Sequence, residues 1–105
     1  MWILKSSRDD EVPATFRVAP GGVKTVGRAA RADFILDAAL VSRLHCRLEA
    51  GAHTLEVIDL SSTNGTYVNG KRVERATLET GDRLRIGRVE LTVARSSDAS
   101  GDALI

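Results

Sequence analysis

Apolar and polar residues trade places every second position along much of the chain. Leu84 and Ile86 alternate with Arg83, Arg85 and Gly87, and Val89, Leu91 and Val93 alternate with Arg88, Glu90 and Thr92. Leu44, Cys46 and Leu48 fall on one face of a run whose other face holds His45, Arg47 and Glu49. A period of two is the signature of a half-buried strand. Short aliphatic or β-branched runs at 2–5, 15–18, 23–26, 34–36, 44–48, 55–60, 84–86 and 89–93 repeat the theme. They recur every 8–12 residues or so, with Gly, Pro, Asp or Asn between them, which predicts an all-β sandwich or barrel. One buried face and one wet face per strand predict antiparallel pairing.

Turn chemistry agrees with that spacing. Pro20-Gly21-Gly22, Ala50-Gly51-Ala52, Asn69-Gly70 and Thr80-Gly81-Asp82 mark chain reversals, and Asn-Gly suits a two-residue type I′ hairpin. The alanine-rich stretches 29–32 and 37–40 are too short for helices and read as loops or single turns. Residues 1–94 are expected to form one domain, and 95–105, rich in Ser, Asp and Gly, a linker or tail.

Composition narrows the function. The 105 residues are 43% hydrophobic but only 4% aromatic, so an aliphatic core of Val, Leu and Ile is expected. A net charge of +1 is too balanced for bulk coating of nucleic acid, and any anion must be met by locally placed arginines. No apolar run approaches the ~20 residues of a membrane span, and the start, Met1 to Lys5, lacks the features of a signal peptide. The single cysteine excludes an internal disulfide and suits a reducing cytoplasm, or a nucleus in a eukaryote.

Three polar islands interrupt the strands: Gly27-Arg28, Ser42-Arg43-Leu44-His45 and Ser62-Thr63-Asn64-Gly65. Alone, each has an ordinary explanation: a turn glycine with a surface arginine, a serine bonded to local backbone, a polar loop. Together they hold what a phosphate on an extended peptide requires. Guanidinium forks grip phosphate oxygens, and hydroxyls and amides complete the cage. Alternation turns Cys46 inward as a small core residue and leaves His45 on the loop side, where its imidazole can brace a neighbouring loop. Asn64-Gly65 and Asn69-Gly70 stand too close for both to be simple hairpin turns. Asn69-Gly70 turns the chain from 66–68 into 71–73, leaving Asn64 in an irregular loop where its amide can hold another backbone.

In order, Gly27-Arg28, Ser42-x-x-His45, Thr63-Asn64-Gly65-Thr66 and Val68-Asn69-Gly70 resemble the forkhead-associated (FHA) domain over about residues 2–94. The resemblance implies an antiparallel β-sandwich of about eleven short strands with ligand loops at one end. It implies phosphate binding by Arg28 and Ser42, helped by Arg43 and Thr63. Asn64, and with it Asn69, would meet the peptide backbone, while Gly27, His45 and Gly65 would set loop geometry. The implied partner is a phosphothreonine-containing protein, whether a Ser/Thr kinase or its substrate. Neither cofactor nor metal, nucleic acid nor membrane is expected, and the module is expected to be a monomer.

Other classes fit less well. Ser42, His45 and Asp59 supply the residue types of a hydrolytic triad, but Ser42 and His45 lie three apart with no nucleophile elbow. Alternation sends His45 and Cys46 to opposite faces, against a zinc site with His53. Lys71, Arg72 and Arg75 read as decoration of a solvated hairpin rather than a nucleic-acid surface. A phosphate-independent docking or dimerisation module remains an alternative, as does a sensor of a phosphothreonine within a longer parent chain.

Overall fold

The computed structural model describes residues 1–6 and 13–96. Among them run eleven strands and no helix: β1 (Trp2–Ser6), β2 (Thr15–Val18), β3 (Val23–Gly27), β4 (Phe34–Ile35), β5 (Cys46–Ala50), β6 (Leu55–Asp59), β7 (Thr66–Val68), β8 (Lys71–Val73), β9 (Arg75–Leu78), β10 (Arg83–Ile86) and β11 (Val89–Arg95). One sheet has the order β2-β1-β11-β10-β7-β8 and the other β4-β3-β5-β6-β9.

Alternation in sequence becomes alternation in burial. Val89, Leu91 and Val93 of β11 are buried while Glu90 and Thr92 are exposed, and Cys46, Leu48 and Ala50 of β5 repeat the pattern. Leu4, Val18, Leu84, Ile86 and Leu91 of the first sheet and Val26, Leu48, Leu55, Val57 and Leu78 of the second share one core. Each such side chain contributes about 1.5–3 kcal/mol by leaving water, so the sandwich is held by aliphatic burial. Aromatic residues contribute more than composition suggests. Trp2 and Phe16 are also buried, and Phe16 of β2 stacks on Phe34 of β4 with ring centroids 4.6 Å apart, joining the edge strands of the two sheets.

The structure corrects four expectations. Pairing is not wholly antiparallel, because β4 runs parallel to β3 through Val26↔Phe34 and Gly27↔Ile35. Asp33 makes this return compact: its carboxylate accepts from the Thr25 amide and hydroxyl just before β4. Strand β9 was not foreseen. It is an edge strand on β6, only Leu78 of its four residues is fully buried, and Arg75 pairs with Glu56 at 2.6 Å rather than decorating the hairpin.

The third correction concerns the run starting at Leu44. Strand β5 begins at Cys46; Leu44 is only half-buried and His45 is fully buried. Around Gly27, Arg28 donates its N–H to Ser42 O, Ala29 to Arg43 O, and His45 to Val26 O. This looped pairing breaks the period of two before the regular ladder starts. Lastly, the boundary placed after residue 94 falls inside β11, where Arg95 pairs with Trp2 and Ser96 donates to Met1 O. The rest of the expected tail, 97–105, lies outside the described residues.

Candidate functional site

At one end of the sandwich the loops 28–33, 36–45 and 60–65 meet around a groove of about 700 Å³. Arg28, Ser42, Arg43, Thr63 and Asn64 all line it, with residues 37–41 and Leu44 as its walls. The three islands, far apart in sequence, therefore share one rim.

Gly27 permits the tightest approach at that rim. A Cβ at this position would collide with the backbone carbonyl of Arg43, so only glycine lets β3 and the 42–45 loop come together. Arg28 follows at once. Its Nε donates to the Val41 carbonyl at 3.1 Å, which fixes the guanidinium at the groove and leaves its terminal nitrogens without an acceptor among the described residues. The Arg43 side chain is likewise unpaired there.

Ser42 is held on two sides. Its N–H donates to His45 Nδ1 at 3.0 Å, and its Oγ accepts from the Thr63 N–H at 3.0 Å. With a lone pair so engaged, the hydroxyl proton is free to donate into the groove. His45 is the link beneath. It is 0% exposed, and Nε2 contacts the Gly65 carbonyl at 2.8 Å. Since Nδ1 accepts, the hydrogen-bond pattern assigns the proton to Nε2, which donates. One imidazole thus ties the second island to the third.

Asp59 was read only as a candidate triad member, yet it organises the third island. It accepts from the hydroxyls of Ser62 and Thr66 and from the Ser62 N–H, and Ser62 Oγ accepts in turn from the Gly65 N–H. Burial pushes the Asp59 carboxyl up, but the hydrogen bonds from Ser62 and Thr66 outweigh it and hold the group below its ordinary range. Aspartate and serine at the end of a strand favour turns through side-chain bonds to nearby backbone, and this much could have been recognised. Leu40 could not. It adopts φ 69 with 47% exposure, an uncommon conformation for such a residue, and its carbonyl accepts from Asn64 Nδ2 at 3.1 Å. Asn64 Oδ1 has no partner among the described residues.

Asn69 is not brought to the groove. Its Nδ2 donates to Asp82 at 3.0 Å and its Oδ1 accepts from the Arg83 N–H at 2.9 Å, so both ends of its amide brace the β7–β8 turn. Gly65 closes the third island at φ +87, with the Arg72 side chain packed against it.

The triad geometry does not form. Both ring nitrogens of His45 face backbone groups, Ser42 Oγ faces Thr63, and Asp59 faces Ser62 and Thr66. Cys46 is fully buried, and burial, with the Asp59 charge nearby, pushes its thiol far up, which suits a core residue. No helix among the described residues is long and apolar enough to cross a membrane.

Known proteins share this chain's fold and much of its sequence. A family model described as FHA domain matches residues 24–87, and the chain belongs to this family of β-sandwich domains. It is 38% identical over 82 residues to the glycogen accumulation regulator GarA of Mycolicibacterium smegmatis, covering 75% of this chain and 52% of that one. It is 40% identical over 67 residues to the oxoglutarate dehydrogenase inhibitor of Corynebacterium efficiens, covering 64% and 47%. The chain thus spans about half the length of these curated relatives. Among solved structures, the FhaA FHA domain complexed with the intracellular domain of Rv3910 superposes with TM-score 0.80 at 33% identity, over 90% of this chain and all of that one. A second FHA domain, from work on phosphothreonine-dependent interactions, gives 0.81 at 33% identity over 90% and 96%.

Proposed function

We propose that this domain binds phosphothreonine-containing peptides of a partner protein, with the groove at the loop end as the site. The observation that carries this reading is the convergence of Arg28, Ser42, Arg43, Thr63 and Asn64 on one open groove. Arg28 and Arg43 bring guanidinium donors to the phosphate, and the hydroxyls of Ser42 and Thr63 add two more. Asn64, with a free carbonyl oxygen, takes a backbone N–H of the extended peptide. Gly27, His45, Gly65 and Asp59 hold these groups in place, and Asn69 supports a turn rather than the ligand.

A phosphothreonine brings about −1.5 to −2 charges and three acceptor oxygens. Charge-assisted hydrogen bonds contribute about 1.5–3 kcal/mol each. Three or four of them, less the cost of ordering the peptide, correspond to micromolar affinity, about −8 kcal/mol. An unphosphorylated peptide loses most of this. The partner is a Ser/Thr kinase or a kinase substrate in a reducing cytoplasm, and the domain acts by docking rather than by catalysis. Relatives named as a regulator and as an enzyme inhibitor are compatible with that role.

Titration calorimetry with matched phosphothreonine and threonine peptides tests the proposal. Micromolar binding of the first and none of the second is expected. Capture of a partner that survives phosphatase treatment would instead favour phosphate-independent docking.

A further inference from the structure

We propose that a second basic subsite, formed by Arg31 and Arg43 beside the phosphate groove, selects peptides carrying another anionic side chain near the phosphothreonine; this rests on the function proposed above. A separate hollow of about 340 Å³ is lined by Ala29, Ala30, Arg31 and Arg43. Arg43 also lines the main groove, so the two hollows share this residue.

The placement of Arg31 is built into the backbone. Residues 29–32 close a turn through the Ala32 N–H donating to Ala29 O, and Ala29 N–H donates to Arg43 O, joining the two arginine-bearing segments. Ala32 is buried at 6% exposure, and Asp33 is clipped to Thr25 on the other side. Arg31 therefore projects from a turn anchored at both ends.

Neither Arg31 nor Arg43 takes part in an ion pair among the described residues. Among the described residues the only ion pairs are Arg47–Glu49 and Arg75–Glu56, and no carboxylate lines the smaller hollow. Asp33 is engaged with Thr25, and Asp37 lines the main groove instead. An anion seated against both exposed arginines gains attraction from two positive charges. Ala29 and Ala30, with no side chain beyond Cβ, keep the approach open. The shared chemistry is an anionic group on the peptide, from either a carboxylate or a second phosphate.

The experiment titrates the full chain and its Arg31→Gln variant with phosphothreonine peptides in three forms: neutral flanks, single glutamates scanned through the four positions on either side, and phosphoserine at the best of those positions. The inference expects a glutamate at one position to tighten wild-type binding about fivefold, phosphoserine to tighten it further, and both gains to shrink in 1 M salt. In Arg31→Gln both gains disappear while the neutral-flanked peptide binds as before. A carboxylate source is assigned if glutamate alone gives the full gain, and a phosphate source if only phosphoserine does. If wild type binds the neutral peptide but no flanking anion helps, or Arg31→Gln keeps the gain, the second subsite is overturned alone. If wild type binds no phosphothreonine peptide, the proposed function falls and takes this inference with it.

Discussion

Ser42 Oγ accepts a 3.0 Å hydrogen bond from the Thr63 N–H, a contact that spans 21 positions of chain. It fixes the serine rotamer, frees the hydroxyl proton for a ligand, and sets Thr63 on the same rim as Arg28. The site depends on links of this kind between loops, and each can be broken separately from the ligand contacts.

Arg28 lies on the groove with its terminal nitrogens open. Arg28→Ala is expected to abolish measurable phosphopeptide binding with an unchanged melting temperature, because the residue is exposed. Arg28→Lys keeps the charge but loses the planar fork, and a loss of about tenfold is expected. Calorimetry with circular dichroism checks both; undiminished affinity in Arg28→Ala would remove the phosphate assignment.

Phosphate ionisation gives a pH signature. The second ionisation of a phosphothreonine lies near pH 6, and two arginines at the proposed site attract a dianion more strongly than a monoanion. Affinity should therefore hold at neutral pH and weaken as pH falls through about 6. A flat profile between pH 5 and 7.5, measured with one peptide, would contradict it.

His45 makes two hydrogen bonds with no exposure to water. His45→Ala strands the Ser42 N–H and the Gly65 carbonyl, each worth about 1–3 kcal/mol when left unpaired in the interior. Melting should fall by about 5 °C or more, and peptide affinity with it. A variant that melts like wild type would show that the imidazole is no brace.

Gly27 faces a backbone carbonyl that cannot rotate away. Gly27→Ala should cost about 1–3 kcal/mol through overpacking and weaken binding by shifting the 42–45 loop. Thermal denaturation and a titration of the same sample read the two effects; an alanine tolerated in both would refute the close approach.

Asp59 carries the acid-pH prediction. Its folded carboxyl lies below the ordinary range, so its contribution is fully present above the unfolded value of about 3.9 and is lost as pH falls through the folded value. Asp59→Asn should lower stability at neutral pH and flatten the acid limb below about pH 4. Denaturant midpoints from pH 2 to 7 test this, and parallel curves for the two proteins would exclude the role.

Strand content, sheet faces and the chemistry of the islands were legible in the chain. Period-two alternation at 83–93 maps directly onto β10 and β11, because a ladder strand must send alternate side chains to water and core. Gly, Arg, Ser, Thr and Asn carry their chemistry wherever they are placed. What alternation cannot report is the point at which pairing stops being regular. His45 entered the interior, Leu44 moved to the groove wall and β4 ran parallel because the chain bends around Gly27, where three backbone hydrogen bonds cross between segments. The fate of Asn69 depended in the same way on Asp82 and Arg83 arriving from β10 and the turn before it. A residue's type is local, whereas the partner that satisfies its polar atoms is chosen by packing, and packing alone decided which asparagine stayed open to a ligand.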